Sequence, residues 1–561
     1  MANLINSAMS GLSAAQTALS VASNNLSNVY TQGYNRQTVS FAQSGGTSTP
    51  TGFIGNGVTV SGINREYNSF IVNQLRQGQS DFASTTAYYQ QVSQIDNLLA
   101  DSNNSLSANM QDFFSNLQNL VSNPSDPAAR QTVLAKANGL VNQFKTTDEY
   151  LKNLESNANL TVSNSVEQIN NYTKQIASLN DQISRLTGAS GGNAPNDLLD
   201  LRDQMATELN QIANVEITMQ DGSMSVSFAG GLSLVQGSSS YKLEAIPSSA
   251  NPQRLTIGYN RGSGAASEVP EGRITGGSLS GILQFRSGAL DNARNQLGQI
   301  ALSMADSFNK VQQAGVDLNG DLTTNEPFFT IGQPSSYANS NNNQAAGASI
   351  SATYTDVSQT KATDYRLEYD KNGQWQVTRL SDNSKITNVK PDANGKLQFD
   401  GLEVTVAPAA EKNDSFTLKT TSSAVQGFGV AITDAAKIGA GTPKYDAGGN
   451  LVIDSTGKGD NTNAQKMLDL QKAQTVGGKS TFNEAYAGLV GTVGNQTNSA
   501  KVDSTAQGNV VKQLALQQQS VSGVNLDEEY GNLMRFQQYY QANAQVIQTA
   551  TTLFSALLSI R

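Results

Sequence analysis

The chain has no histidine and no cysteine among its 561 residues. Without histidine it lacks the commonest general base, and without either residue type it cannot form Ser-His-Asp or Cys-His catalytic units or the usual protein zinc sites. No disulfide can form, so cysteine usage fits a cytosolic protein and an exported one equally. The sequence therefore predicts no catalytic, cofactor-binding or metal-binding residues.

Charge is also scarce. Lys, Arg, Asp and Glu make up 14% of the residues, and the formal net charge is −9, whereas charged residues form about 25% of a typical soluble protein. An acidic chain of this kind is not expected to bind nucleic acid or an anionic membrane surface. No apolar run approaches the roughly 18 residues of a membrane span. The N-terminus also lacks the basic and apolar regions of a conventional signal peptide, so export would require another route.

The length predicts roughly three or four domains, because a chain of 561 residues is too long for one core. Helical periodicity dominates and indicates a long helical bundle as the main body. A Gly-rich break at 188–192 is followed by a new helix that Asn196 or Asp197 is expected to cap. Between the two ends of the chain, helices are expected at 64–121, 128–155, 162–186, 290–311, 461–475 and 497–521.

Two regions alternate with a period of two residues, which is typical of strands. Hairpins are predicted at 214–228, 365–380 and 396–406, with Asp221-Gly222, Asn372-Gly373 and Asp400-Gly401 as the turns. The predicted fold is mainly α with inserted β: an elongated multi-domain rod with terminal coiled-coil helices. The predicted domains are terminal helices forming an inner axial core (1–45 and 522–561), a helical bundle with a small β segment at 214–260 (46–329 and 456–521), and an inserted β-rich outer domain (330–455).

Both ends of the chain carry a narrow apolar stripe with coiled-coil spacing. Almost no charge accompanies the stripes: Arg36 is the single charged residue among the first 64, and residues 536–560 have none. Such stripes also occur in core helices of ordinary globular domains, but two matched stripes at opposite termini favour an assembly interface that folds as subunits associate. The predicted interface residues are Ile5, Ala8, Leu12, Ala15, Leu19, Ala22, Leu26, Val29, Leu526, Leu533, Phe536, Tyr540, Ile547, Ala550, Phe554 and Leu557.

Carboxylate pairs are the remaining candidates for acid-base chemistry. Asp527, Glu528 and Glu529 lie at the start of a predicted helix, where negative charge complements the helix dipole. We therefore interpret them as structural residues.

The segment 22–37, ASNNLSNVYTQGYNRQ, resembles the N-terminal signature shared by bacterial flagellar rod, hook and hook-associated proteins. Tyr30 departs from that signature, which more often has a small polar residue there. Segments 3–12, 126–131, 144–151, 195–204, 412–419 and 520–561 resemble the flagellar hook-associated protein 1 family, so the resemblance covers the chain from end to end. The signature residues are Asn25, Leu26, Asn28, Thr31, Gly33 and Tyr34.

The resemblance implies a non-enzymatic structural adaptor that assembles into an axial ring between the flagellar hook and the filament. It implies self-association, contacts with hook protein and with a second junction protein or the filament, and a cytoplasmic export chaperone on the C-terminal helix. It also implies an extracellular location in the flagellum, reached through the flagellar type III export route.

Two alternatives stay open at this stage. The chain is similar enough to other axial proteins to be a hook or filament subunit. A polysaccharide hydrolase built from carboxylates of the inserted β domain is the alternative from another class, and it would need two carboxyl groups facing each other across a cleft at about 5 to 10 Å.

Overall fold

The structure is a computed structural model, and it describes residues 2–49, 52–100, 105–262, 264–343, 347–387, 389–408, 410–446 and 459–559. The predicted end of the insert at residue 455 lies outside these residues. Among the described residues, no helix combines the length and apolar character that crossing a membrane requires.

The fold class is the predicted one, mainly helical with inserted β structure. The longest helix differs from the expectation, because the helices expected at 128–155 and 162–186 form one continuous helix of 63 residues. At 1.5 Å per residue this helix is about 95 Å long, which gives the body its elongated shape. The helices are α1 (Ala2–Ser27), α2 (Ser69–Ala100), α3 (Leu106–Ser122), α4 (Pro127–Ala189), α5 (Asn196–Ile212), α6 (Gly277–Phe285), α7 (Asp291–Gln312), α8 (Thr421–Ala424), α9 (Thr462–Asp469), α10 (Phe482–Ser522) and α11 (Leu526–Leu558).

The strands form small antiparallel sheets, among them the pair β1-β4, a four-stranded sheet of β5 to β8, and a five-stranded sheet in the order β13-β20-β15-β16-β17. The strands are β1 (Gln37–Gln43), β2 (Thr47–Thr49), β3 (Gly52–Ile54), β4 (Val58–Arg65), β5 (Val215–Gln220), β6 (Ser223–Phe228), β7 (Leu232–Gln236), β8 (Ser239–Ser240), β9 (Lys242–Pro247), β10 (Leu255–Asn260), β11 (Ser267–Glu268), β12 (Phe329–Thr330), β13 (Ser335–Ala338), β14 (Ser349–Tyr354), β15 (Tyr365–Tyr369), β16 (Trp375–Arg379), β17 (Lys385–Ile386), β18 (Lys396–Phe399), β19 (Leu402–Ala407), β20 (Ser415–Lys419) and β21 (Gly429–Val430).

The three predicted hairpins are confirmed. β5 pairs with β6, β15 with β16, and β18 with β19, each across the predicted turn. Asp221 and Asp400 have positive φ angles, as do the three turn glycines. This backbone conformation is why Asp-Gly turns are a strong sequence signal.

Three local expectations were wrong. The helix expected at 461–475 ends at Asp469, and Gly477 and Gly478 then adopt left-handed φ angles of +59° and +67°. The helix expected at 64–121 starts at Ser69 and is divided into α2 and α3. Pro195 occupies the N-cap position of α5, and the side-chain amide of Asn196 instead donates to the backbone oxygen of Ile63 at 2.9 Å.

The main hydrophobic core lies between α2, α3, α4, α7 and α10. Residues from inside the predicted insert contribute to it, because Val425, Phe428, Ile432 and Ile438 belong to the same cluster as Phe308. A second core joins α4 and α5 to strands β5 to β10, and a third lies within the β region at 350–418. None of these cores includes a residue of α1 or α11, so the two terminal helices form a separate unit.

Candidate assembly site

The two terminal helices, α1 and α11, pack antiparallel against each other, and we call this pair the terminal hairpin. Asn25 on α1 contacts Glu529 on α11, and Gly11 lies opposite Asn543. A Cβ atom at Gly11 would lie 2.6 Å from Oδ1 of Asn543, so a larger residue there would have to displace the Asn543 side chain. Both contacts fit the same antiparallel alignment of the two helices. In this alignment Ala2, the first residue of α1, lies at the same level along the helix axis as Thr552.

The small residues of α1 form the contact surface. Ala8, Ala15 and Ala22 are buried, as are Ala14 and Ala18. The large residues of the predicted α1 stripe are only half-buried in the single chain. These are Ile5, Leu12, Leu19, Leu26 and Val29. The single chain therefore leaves part of each large apolar side chain accessible.

Most of the predicted α11 stripe is also incompletely covered. Ala550 is fully buried. Leu533, Phe536 and Ile547 are half-buried, whereas Leu526, Tyr540, Phe554 and Leu557 are exposed.

The last turns of α11 extend beyond the start of α1. Phe554 and Leu557 follow Ala550 at helical spacings of four and seven residues, so they lie on the side of α11 that faces α1. At their level α1 has ended, and these two side chains remain 51% and 60% exposed. The side of α11 that packs on α1 therefore continues as an uncovered apolar surface, which also includes Leu553 and Leu558.

The base of the hairpin is held by a polar cluster that we call the root clasp: Asn25, Arg36, Glu528 and Glu529. Glu529 is 2% exposed and binds Nε of Arg36 at 2.8 Å, while Glu528 binds NH1 of the same guanidinium at 2.9 Å. The amide of Asn25 donates to the second oxygen of Glu529 at 3.2 Å. Glu528 and Glu529 were expected only to complement the helix dipole. They also bind Arg36, which is 490 or more positions away in the sequence.

Asn25 uses its whole side chain in this cluster. Its amide nitrogen also donates to the Gln37 carbonyl at 2.8 Å, and its oxygen accepts from the Gln37 N–H and from the Tyr34 hydroxyl at 2.9 and 2.7 Å. A buried amide with all its bonding capacity satisfied fixes the chain at this point. Burial, together with Asp200 and Glu529, raises the pKa of Tyr34 to about 12, so the tyrosine keeps the proton that it donates.

The other signature residues shape the loop that joins α1 to β1. The Thr31 hydroxyl donates to the side-chain oxygen of Asn28 at 3.1 Å. Gly33 has a φ angle of +82°, and a Cβ atom there would lie 2.9 Å from Oε1 of Gln204 on α5. Both requirements favour glycine. Tyr30, which departs from the signature, is 91% exposed.

A second cluster attaches the hairpin base to the body. Asp200 on α5 accepts hydrogen bonds from the Asn35 backbone at 3.0 Å and from Arg65 at 2.9 Å. Arg65 also binds Asp203 at 2.7 Å, and Asp203 binds Arg76 on α2 at 3.2 Å. Burial raises the pKa of Asp200 despite the opposing hydrogen bonds from Asn35 and Arg65. The 195–204 segment thus positions the terminal unit, a role that sequence reasoning missed.

A third charge cluster lies where the β region meets the helical body. Glu155 on α4 binds Arg254 and Arg294, each at 2.7 Å. Burial alone would raise the pKa of Glu155, but Arg254, the buried Lys419 and Arg294 lower it to about 2. Across the described parts of the chain, no group of acidic residues is arranged to hold a metal ion.

Comparisons with known proteins agree with this architecture. Residues 5–35 match the family model of the flagella basal body rod protein, and residues 517–560 match that of the flagellar basal body rod FlgEFG protein C-terminal. Both matches lie on the terminal hairpin and its base. Both ends of the chain are therefore similar to those of flagellar axial proteins.

The interior of the chain matches models of one particular family of flagellar axial proteins. Residues 92–329 match the flagellar hook-associated protein FlgK helical domain, and 337–420 match the flagellar hook-associated protein 1, D2-like domain. Flagellar hook-associated protein 1 of Escherichia coli (strain K12) is 54% identical over 100% of both chains, and that of Bacillus subtilis (strain 168) is 24% identical over 97% of this chain and 95% of its own. The flagellar hook junction protein FlgK from Burkholderia pseudomallei has a similar structure, with a TM-score of 0.73 and 28% identity over 80% of this chain and 100% of its own.

The chain belongs to the flagellar hook-associated protein 1 family. It is a structural adaptor of the bacterial flagellum at the junction between hook and filament.

Proposed function

We propose that the terminal hairpin is the surface through which copies of this chain assemble into an axial ring between the hook and the filament. The exposed apolar end of α11 carries the proposal. Phe554 and Leu557 lie on the packing side of the helix, have no partner residue of α1 at their level, and belong to a stretch without charge. Burying them against a neighbouring copy would be favourable, and no charged group would have to be desolvated.

We also propose where each part of the chain lies in the assembled ring. Residues 1–45 and 522–561 form the inner axial core, and the helical bundle of 46–329 and 456–521 lies around it. From the predicted insert at 330–455, the β region at 350–418 extends outward, whereas Val425, Phe428, Ile432 and Ile438 belong to the main core. The half-buried residues of both terminal stripes complete the interface as neighbouring copies cover them.

The proposed partners follow from the position of the ring. Hook protein lies on one side and a second junction protein or the filament on the other, so the contacts are head-to-tail and use two different surfaces. Before assembly, an uncovered apolar helix end is a liability, because such patches associate with each other. A cytoplasmic chaperone on the C-terminal helix would cover it until the chain leaves through the flagellar type III export route.

We assign no enzymatic activity to the chain. Four buried carboxylates, Glu155, Glu529, Asp200 and Asp203, form ion pairs with arginines. Within the inserted β region, Asp364 accepts hydrogen bonds from the Ser422 hydroxyl and the Thr420 N–H, and Asp414 accepts from the backbone N–H of Glu411. Turnover of a polysaccharide substrate by the purified protein would refute this assignment.

The decisive experiment is complementation of a strain that lacks this chain. The null strain should make hooks and secrete flagellin monomers into the medium, and the chain should restore attached filaments. A null strain without hooks would assign the chain to the hook instead, and one with normal attached filaments would contradict the proposed function.

A further inference from the structure

Arg36 is the point where three segments of the chain meet. Its side chain binds Glu528 and Glu529 at the start of α11. Its backbone N–H donates to the carbonyl of Ser522 at the end of α10 at 2.9 Å, and its carbonyl accepts from the N–H of Glu66 at 2.8 Å. Both the backbone and the side chain of Arg36 are therefore fixed relative to the body and to α11.

The rest of the hairpin seam specifies its register weakly. Apart from Gly11, which lies opposite Asn543, the contact surface of α1 consists mainly of small alanines at a heptad spacing. Neither α1 nor α11 beyond Arg535 contributes a charge among the described residues. A seam of repeating small apolar residues accepts several alignments, whereas a single polar contact in such a seam selects one of them. In this hairpin the contact between Asn25 and Glu529 supplies that selection, and Arg36 holds Glu529 in place.

We propose that Arg36 is a positioning residue for assembly: by binding Glu528 and Glu529 it sets the register of α11 against α1. The register decides which apolar residues of α11 extend past the start of α1, namely Phe554 and Leu557 in the observed alignment. This proposal rests on the proposed function of that apolar end. Two separate guanidinium nitrogens contact the two carboxylates, a geometry that an ammonium group does not reproduce.

The absence of native cysteine allows a direct test of register in the full-length chain. A Cβ atom at Gly11 lies 2.9 Å from Cγ of Asn543, so cysteines at these two positions fall within disulfide reach. The variant Gly11→Cys with Asn543→Cys reports the observed register. The variant Gly11→Cys with Ile547→Cys also carries Asn543→Ala, which removes the side chain that the new Cβ atom would meet, and it reports a slip of one helical turn.

With Arg36 present, we expect the first pair to form a disulfide and the second to remain reduced. Adding Arg36→Ala should slow the first cross-link by about tenfold or more, since charge-assisted hydrogen bonds of the buried carboxylate are lost, and the second cross-link should appear. Glu529→Gln should act in the same direction, and Arg36→Lys should restore the first cross-link only partly. The thermal midpoint of the helical body should stay unchanged, which a merely structural role for Arg36 would not predict.

Two cross-linking results would overturn the proposed role of Arg36. An unchanged cross-linking pattern in Arg36→Ala would overturn the proposal, and so would the loss of both cross-links, because Arg36 would then hold the hairpin together without choosing its register. Filament attachment by a Phe554→Asp variant separates this proposal from the proposed function. Normal attachment of that variant refutes the assembly surface, whereas blocked attachment with an unchanged cross-linking pattern refutes only the role of Arg36.

Discussion

An aspartate at the exposed end of α11 should prevent assembly without unfolding the single chain. Phe554 is 51% exposed and has no residue of α1 opposite it. A phenylalanine presents about 200 Å² of surface, so about 100 Å² remains to be buried by a neighbour, which corresponds to about 2.5 kcal/mol. An unpaired carboxylate at that interface adds a penalty of more than about 2 kcal/mol. Together these terms weaken each contact by about a thousandfold or more.

The single chain should tolerate Phe554→Asp. The aspartate there remains in water, and its unfavourable interaction with the C-terminal end of the helix dipole costs only about 0.3 to 1 kcal/mol. Thr552→Asp is the matched control, because Thr552 is exposed and lies near the same helix end. It is two residues from both Ala550 and Phe554, which places it on the opposite side of the helix from them. The measurements are the thermal midpoint of the purified monomer and filament attachment in a complemented null strain. The reasoning fails if Phe554→Asp lowers the monomer midpoint sharply, or if it attaches filaments as well as Thr552→Asp does.

Three further predictions concern the hairpin, the buried charges and the β region. Gly11→Ala should weaken the packing of α1 on α11, measured as faster hydrogen exchange of α1, and adding Asn543→Ala should restore protection because the clash is removed; no effect of the single change would refute the steric reasoning. The pKa of Glu155 is lowered to about 2, so the stability it contributes is present above about pH 4.5 and lost as the pH falls toward 2. Glu155→Gln should therefore lower the thermal midpoint at pH 7 but have less effect near pH 3, and an equal loss at both pH values would contradict this. Replacing 337–420 by a short Gly/Ser linker should leave the helical body folded, whereas replacing 330–455 should unfold it because Phe428 and its neighbours are lost from the main core; equal circular dichroism melts for the two variants would show otherwise.

Local sequence signals predicted much of the fold. Asp-Gly turns identified two of the hairpins because their backbone conformation is encoded by adjacent residues. Helical periodicity indicated the long helices, although α4 joins two predicted helices into one. The limits of helices were less predictable: Asn196 has the chemistry of a cap, yet its amide binds the Ile63 carbonyl of a distant strand.

The candidate site could be predicted only in part. The terminal stripes were visible because their spacing is regular, but the pattern did not show that the alanines are buried while the leucines stay half-exposed. The pairing of Arg36 with Glu529 spans 493 residues and leaves no periodic trace in the sequence. One feature of the sequence could have indicated this pairing: Arg36 is the single charged residue among the first 64. A buried charge requires a partner, and for Arg36 the partner has to come from a distant part of the chain.

We expect the end of α11, which is exposed in the single chain, to be buried in the junction. Leu557→Cys can be labelled with a maleimide in the purified monomer and in isolated hook-filament junctions, with Asn372→Cys in the exposed β15-β16 loop as the control. Both cysteines should be labelled rapidly in the monomer, and only the cysteine at position 557 should be protected in the junction. Equal labelling of that cysteine in both states would contradict this expectation.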